Sequence, residues 1–475
     1  MVVHELLHLL RSCPLIASVQ ATEGSPVDDP GTLLKLAEAS LQEGVQILRL
    51  QGVANLRTIG SATEAPTIGL IKRSYPGSEV YITPTVTEVD DVLQSGSQVV
   101  ALDGTRRLRP GGQCLADLVA QAHRGGALVL ADIDSLESAR YAVESGADLV
   151  STTLAGYTRE RASTAGPDLD LLREVVASVS KPVFAEGRFA EPWQVQAALR
   201  IGAVGVIIGG ALNDPIKTTR RFMPRPKPSG KVGAVDIGGT WMRFATFSED
   251  WKLQEIERMP LLEQREARMD WIRSQVRASH ACAVGVSTGG TVDPRTGELW
   301  EAKALIPDHI GSMFNEQSLG VPTAALNDGL ATAWGHACLP EYAGKRVATL
   351  ALGTGVGCGF VADGRILMGP RGEYVRLNDL PAPGGATFEQ LLGGASLSPS
   401  PSPEQIAQAL SAFFQAGIVL QSMYFPDQIV ACGAVALSDW MAPFLKSPGL
   451  TASPFGADAG LYGAAALVLF PPDLG

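Results

Sequence analysis

Cysteine is scarce and scattered: six residues (13, 114, 282, 338, 358 and 432) in a chain of 475, with no CxxC pair. That usage suits reduced thiols in the cytoplasm and speaks against a disulfide framework or a zinc cluster. Basic excess is lacking too. The 38 Lys and Arg face 49 Asp and Glu, a net charge of −11, so nucleic acid is not an expected partner, because phosphate-backbone binding needs a basic face. Small phosphorylated molecules stay open, since a few local groups can hold them. No apolar run is expected to reach the roughly 18 residues that cross a bilayer. The N-terminus, with His4, Glu5 and His8 among leucines and then Arg11, lacks the basic, apolar, small order of a signal peptide, so no membrane partner is expected. What is present is 45% hydrophobic and 18% charged, a packed globular composition too long for one ordinary core.

The first half is built on a recurring shape. The strings QEGVQILRL (42–50), QSGSQVVAL (94–102), ESGADLV (144–150) and RIGAVGVII (200–208) each run from a polar helix end through a glycine into a short apolar segment. Glycine just past a helix, followed by an inward strand, is the αβ connection of a βα repeat. Leu15–Val19, Thr67–Ile71, Ala127–Ala131 and Pro182–Ala185 bring the strands to eight. Strands this apolar are covered on both faces, and eight such units in about 220 residues predict a TIM (β/α)8 barrel.

The residues that end those strands are Gln20, Arg49, Lys72, Asp103, Asp132, Thr152-Thr153, Glu186 and Gly209-Gly210. Polar residues terminate strands generally, but in a barrel these positions converge on the catalytic face. Lys72, crowded by Arg49, is a candidate base with a lowered pKa, and Glu186 or Asp132 can orient it or return a proton. Gly187, Arg188, Gly209 and Gly210 follow strands 7 and 8, the customary phosphate seat. Proton abstraction beside the carbonyl of a small phosphorylated molecule is the reaction class this suggests.

The stretches Ile-Lys-Arg-x-Tyr-Pro (71–76), Ile-Thr-Pro-Thr (82–85), Ala-Asp-Ile-Asp-Ser (131–135), Ser-Thr-Thr-Leu-Ala-Gly-Tyr-Thr (151–158) and Ala-Glu-Gly-Arg (185–188) resemble the N-acetylmannosamine-6-phosphate 2-epimerases over about residues 10–223. The resemblance implies Lys72 as catalytic lysine, Glu186 as its carboxylate partner, and Gln20, Arg49 and Asp132 as substrate-binding positions. It implies no metal or organic cofactor for this half.

Pro224-Arg225-Pro226-Lys227-Pro228-Ser229-Gly230 reads as a short stiff linker, which places one domain at 1–223 and a second at 231–475. The second opens on an apolar strand, Lys231–Val235, leading into Asp236-Ile237-Gly238-Gly239-Thr240, with Trp241–Phe247 returning as a hairpin. Glycines let backbone N–H groups approach phosphate, and Asp236 can reach a hydrated Mg²⁺. Such a turn alone is common. A second one, Gly353-Thr354-Gly355-Val356-Gly357 after Val347–Leu352, and a third at Gly433 point to an actin-like ATPase fold of two lobes with ATP in the cleft. Asp328, at the head of a helix, is a candidate general base for a sugar hydroxyl, with Asn327 as a substrate partner; an N-cap aspartate is the plainer alternative.

DIGGT (236–240), STGGTVDPRTGEL (287–299), LNDG (326–329), LGTGVGCGF (352–360) and ADAGLYGAA (457–465) resemble the ROK family of sugar kinases. Beside an epimerase half, the resemblance implies an N-acetylmannosamine kinase using ATP and Mg²⁺, in a cytoplasmic enzyme of amino sugar catabolism. Dimers are usual in both families, so a homodimer is expected. Most ROK members carry Glu-x-Gly-His and then a cysteine zinc cluster. Here Gly372-Glu373-Tyr374-Val375-Arg376 and a shortened LNDLPAPGGATFEQLLGG stand there, with arginine at the histidine position and no cysteine. No structural zinc is expected, and Glu373 and Glu389 are left as candidates for sugar hydroxyls. Two alternatives stay open: a catalytically silent, sugar-sensing ROK domain, or a kinase for another hexose.

Overall fold

The computed structural model describes residues 1–224, 226–302, 306–382, 384–447 and 449–473. Arg225 of the linker and Pro383 of the shortened loop lie outside the described residues. The chain divides into two compact units, Met1–Met223 and Pro224–Gly475.

In the first unit eight parallel strands close on themselves in chain order: β1 (Leu15–Val19), β2 (Leu48–Gln51), β3 (Thr67–Leu70), β4 (Val99–Asp103), β5 (Leu128–Asp132), β6 (Leu149–Ser151), β7 (Val183–Glu186) and β8 (Gly205–Ile208), with β8 pairing back onto β1. The strands are mostly apolar, polar residues lying chiefly toward their carboxyl ends, because successive side chains enter two different cores. Ile16, Ile68, Leu70, Val99, Leu130, Leu149, Phe184 and Ile207 fill the interior together with Leu6 and Leu10 of the N-terminal helix Val3–Ser12. Ala17, Val19, Leu48, Val100, Val129, Val150 and Val206 instead meet the surrounding helices. Each leucine buried this way contributes roughly 1.5–3 kcal/mol. This is the barrel the repeat predicts.

The second unit repeats one plan twice. β9 (Val232–Ile237), β10 (Trp241–Phe247), β11 (Leu253–Pro260), β12 (Ala283–Thr288) and, beyond a small hairpin of β13 (Thr291–Val292) and β14 (Leu299–Glu301), β15 (Thr323–Asn327) form a sheet in the order β11-β10-β9-β12-β15. β16 (Val347–Leu352), β17 (Val356–Ala362), β18 (Arg365–Ile366), β19 (Gln428–Cys432), β20 (Lys446–Ser447) and β21 (Leu450–Ala452) form the other, in the order β18-β17-β16-β19-β21-β20. In each, an antiparallel hairpin (β9–β10, β16–β17) continues into parallel neighbours (β12, β15; β19, β21). The two-lobed, actin-like architecture is this duplication. Helices Asp328–Ala337 and Ala459–Leu469 pack together tightly; a Cβ at Gly463 would stand 2.5 Å from the Ala331 carbonyl oxygen.

One helix corrects an expectation. Pro403–Tyr424, 22 residues with a window of mean hydropathy 1.3, is long and apolar enough by composition to cross a membrane. Its Ala409, Ala412, Phe413, Ala416 and Leu420 belong to the core of the second lobe, and Gln405, Gln408, Ser411, Gln415 and Gln421 interrupt it in sequence. Apolarity here serves a core face, although Phe414, Ile418 and Met423 remain exposed.

Candidate active sites

A cavity of about 530 Å³ opens at the carboxyl ends of the barrel strands, lined by Gln20, Arg49, Lys72, Glu186, Gly187, Arg188, Gly209 and Gly210. Asp132 lies beneath it, fully buried. Arg49, expected to end its strand, is instead the second residue of β2 and 1% exposed; it grips both oxygens of Asp132, Nη1–Oδ1 at 3.1 Å and Nη2–Oδ2 at 2.6 Å, and its Nη1 lies 3.3 Å from Glu186 Oε2. Two forked hydrogen bonds fix the guanidinium plane. Lys72, two residues past β3 and bridged to Ile82, donates from Nζ to Gln20 Oε1 at 2.8 Å. Removal from water lowers the Lys72 pKa, and the Arg49 charge lowers it further, against an opposing pull from Glu186. Burial raises that of Glu186, which Arg49 counters. The pair therefore leans toward a neutral amine and a neutral acid.

Arg188 differs from its expected part. It sits at φ 57°, and its guanidinium donates to the Ala155 and Gly166 carbonyls at 2.7 and 3.0 Å and to Thr164 Oγ1 at 3.0 Å. Those bonds hold the loop that carries Tyr157, over whose ring the guanidinium lies at 5.2 Å. A further cation, not among the expected residues, stands beside Gly210. Lys217 lines the cavity against Gly210, its Nζ 3.2 Å from Asp214 Oδ2. The signal was Asp214-Pro215: an aspartate N-cap accepting from Lys217 N–H at 3.1 Å sets a helix turning its third residue to the cavity. Tyr81 and Tyr157 also line the site.

In the second unit a cavity of about 530 Å³ is lined by Asp236, Gly238, Gly239, Gly353, Thr354, Gly355 and Gly433, and by Asn327, Asp328 and Glu389. Thr240 and Thr354 meet hydroxyl to hydroxyl at 3.1 Å, so the two glycine loops converge from the two sheets. Asn327, not Asp328, caps the helix, its side chain accepting from the N–H groups of Gly329 and Leu330. Asp328 is thereby left facing the cavity. Burial pushes its pKa up to about 6, against the Gly329 N–H, with Asp236 adding to the rise. Gly329 lets this helix start touch β17, since a Cβ there would stand 2.4 Å from the Cys358 carbonyl oxygen.

Three expected residues are placed otherwise. Asp236 is engaged by Arg243, whose Nη2 and Nε lie 2.6 and 3.1 Å from Oδ2, and by Ser287 at Oδ1; the register Arg243↔Asp236 and Ser287↔Asp236 puts them side by side. A carboxylate so occupied fits a bare Mg²⁺ ligand poorly. Glu389 accepts the Val356 N–H at 2.9 Å and so braces the second glycine loop. Glu373 is exposed, turned back on the Arg371 N–H at 2.8 Å, and stands apart from the cavity lining. Tyr374 and Asn378 line it instead, the tyrosine pushed to about 12 by burial and then by Asp328. His309 joins them, held by Thr288 Oγ1 at 2.8 Å and pushed down to about 3 by burial and Arg268, hence neutral.

The segment carrying Tyr374 and Asn378 is pinned to the β13–β14 hairpin. Arg376 pairs with Glu301, which also accepts from Thr291 Oγ1 at 3.0 Å. Trp300 Nε1 donates to the Arg371 carbonyl at 2.9 Å, and the Arg371 guanidinium lies 4.4 Å from the Trp300 ring centroid.

A barrel mouth with a lysine among carboxylates, and a two-lobed cleft with paired glycine loops around a half-buried aspartate, define an isomerase joined to a phosphotransferase. The family model NanE, "Putative N-acetylmannosamine-6-phosphate epimerase", matches residues 33–227, and the ROK family model matches 232–375. The bifunctional enzyme NanE/NanK of Brucella melitensis is 31% identical over 516 aligned residues, covering 98% of each chain. The chain belongs to this family of bifunctional NanE/NanK enzymes, an epimerase followed by a ROK kinase. Among solved structures, the N-acetylmannosamine-6-phosphate 2-epimerase from Clostridium perfringens is 40% identical (TM-score 0.45; 47% of this chain, 96% of that one), and the ROK hexokinase from Thermus thermophilus 25% identical (TM-score 0.41; 50% and 98%).

Proposed function

We propose that the second unit transfers the γ-phosphoryl group of ATP to O6 of N-acetylmannosamine, and that the barrel converts the product to N-acetylglucosamine 6-phosphate by inverting C2. The observation that carries the pairing is the 31% identity to a bifunctional NanE/NanK enzyme along 98% of both chains.

In the barrel, Gly209, Gly210 and Lys217 hold the phosphate. Lys72, steadied by Gln20, removes the proton at C2, which is acidified by the C1 carbonyl of the open-chain sugar, and a carboxyl group returns one to the opposite face. These are side-chain steps that use no cofactor. In the kinase cleft, Asp328 takes the proton of the O6 hydroxyl as it attacks phosphorus, Asn327, Tyr374 and Asn378 orient the sugar, and the two glycine loops present N–H groups to the phosphates. Mg²⁺ would neutralise phosphate charge there, held by ATP itself with Asp236 facing it through water.

The enzyme is proposed to be cytoplasmic and homodimeric, its partners amino sugars and their phosphates; the exposed Phe414, Ile418 and Met423 support a self-association that sedimentation would measure. A phosphorus NMR time course with N-acetylmannosamine, ATP and Mg²⁺ tests the whole reading. Two phosphomonoester signals should appear in succession. Activity only when N-acetylmannosamine 6-phosphate is supplied would leave the epimerase standing and make the ROK unit silent or specific for another hexose.

A further inference from the structure

Among the described residues, five cations line the barrel cavity: Arg49, Lys72, Arg188, Lys217 and Arg221. Arg49 is spent on Asp132 and Glu186, and Arg188 on the loop it ties down. Lys72 is the base of the proposed reaction. Lys217 and Arg221, both from the helix Pro215–Phe222, are left to meet a phosphate. Four residues apart, they project from one face of that helix. A phosphomonoester carries a charge of about −1.5 to −2 at neutral pH, more than Lys217 alone balances.

Each of the two cations faces a carboxylate, and the two carboxylates differ. Asp214, 3.2 Å from Lys217 Nζ, is 2% exposed and fixed in place. It accepts from Thr22 Oγ1 at 2.8 Å and from the Lys217 N–H at 3.1 Å. Glu191, which pairs with Arg221, has a side chain 37% exposed, and that of Arg221 is 50% exposed. Arg221 also donates from Nη1 to the Ala190 carbonyl at 3.3 Å. An ion pair this open to water contributes little and exchanges readily. The helix has no buried residue, so Arg221 can leave Glu191 without disturbing a core.

We propose that Arg221 is the second cation of a phosphate clamp, held by Glu191 while the barrel is empty and passed to the substrate's phosphate on binding. This rests on reading the barrel as an enzyme of a sugar phosphate and names how that phosphate is selected. A guanidinium fork matches two phosphate oxygens as it matches a carboxylate, so the exchange replaces one forked contact with another to a more highly charged group. Glu191 thereby competes with the substrate for Arg221. An unphosphorylated sugar offers Arg221 no anion and leaves the pair with Glu191 closed.

Two substitutions that break the same ion pair separate this role from a merely fastening one, because they move binding in opposite directions. In the full chain, Arg221→Ala should raise the epimerase KM for N-acetylmannosamine 6-phosphate about tenfold, with a smaller fall in kcat, and weaken competitive inhibition by inorganic phosphate by a similar factor. Glu191→Gln, which frees Arg221, should lower both constants about threefold and lose most of that effect once Arg221 is alanine. Weaker phosphate binding in Glu191→Gln, or unchanged binding in either variant, overturns the proposal and makes the pair a fastener of the helix. Titration calorimetry with N-acetylglucosamine 6-phosphate reads the same shifts apart from the rate. Opposed shifts in a chain that does not epimerise would support the clamp and defeat the reading of the barrel's reaction; normal epimerisation without them would do the reverse.

Discussion

Asp328 shows what a single half-buried carboxylate costs and supplies. With its pKa at about 6 against the ordinary 3.8, the folded protein holds this proton more tightly than the unfolded chain does. Its stabilising effect is complete below about 3.8 and is lost as pH rises through about 6. At neutral pH the ionised Asp328 therefore destabilises the fold by up to about 3 kcal/mol. Asp328→Asn should raise the midpoint of denaturant unfolding while abolishing phosphorylation and leaving epimerisation intact. Because the base must be ionised, kinase kcat/KM should decline as pH falls through about 6, a profile the asparagine variant cannot show. Lys72 is the mirror case: removal of its amine from water and the Arg49 charge both lower its pKa. Lys72→Ala should cost epimerase kcat at least about a hundredfold and leave the kinase rate unchanged in a coupled ADP assay. Loss of both activities would mean that the two units do not act independently.

At the scale of elements, the informative piece is the segment from Arg371 to Asn378. Its Tyr374 and Asn378 face the kinase cavity, and its attachment to β13–β14 runs through Arg376–Glu301 and Arg371–Trp300. An ion pair about two-fifths exposed at each end contributes little by itself, so the stack and the backbone hydrogen bond share the attachment. Arg376→Ala should loosen the segment and raise KM for the sugar on the order of tenfold, with a smaller change in KM for ATP. Arg376→Lys, a point charge without the fork, should fall between. A zinc-selective chelator should leave both activities as they are; loss of either would place a metal where the arginine now reads as the fastener.

For the molecule as a whole, two compact units on one chain carry one complete cavity each. Full-length Lys72→Ala and full-length Asp328→Ala, each unable to make N-acetylglucosamine 6-phosphate from N-acetylmannosamine and ATP, should do so when mixed. The product of the intact kinase would reach the intact barrel through solution. Failure of the mixture, with each single activity verified, would mean that the intermediate passes only within a chain.

Eight βα units could be read from apolar runs, four of them announced by a glycine, because a strand covered on both faces has to be mostly apolar and a helix end needs a residue free to turn. The two glycine loops and the Asn327-Asp328 helix start could be read for the same reason: close approach of backbone to phosphate restricts residue type locally. Reach could not be read. Nothing local says that Arg49 spends its fork on Asp132, that Arg188 ties down a loop, that Asp236 answers Arg243 across a hairpin, that Lys217 arrives at the barrel mouth, or that Glu373 turns away while Tyr374 turns in. Most of these depend on residues seven to more than eighty positions apart, set by strand register and by which side chains share a buried space. The sequence by itself determined two folds, two reactions and the residue types at both sites. Only the tertiary structure decided which of those residues line a cavity and which hold one another, because burial and pairing, which distribute charge and protons among them, exist only once distant segments pack together.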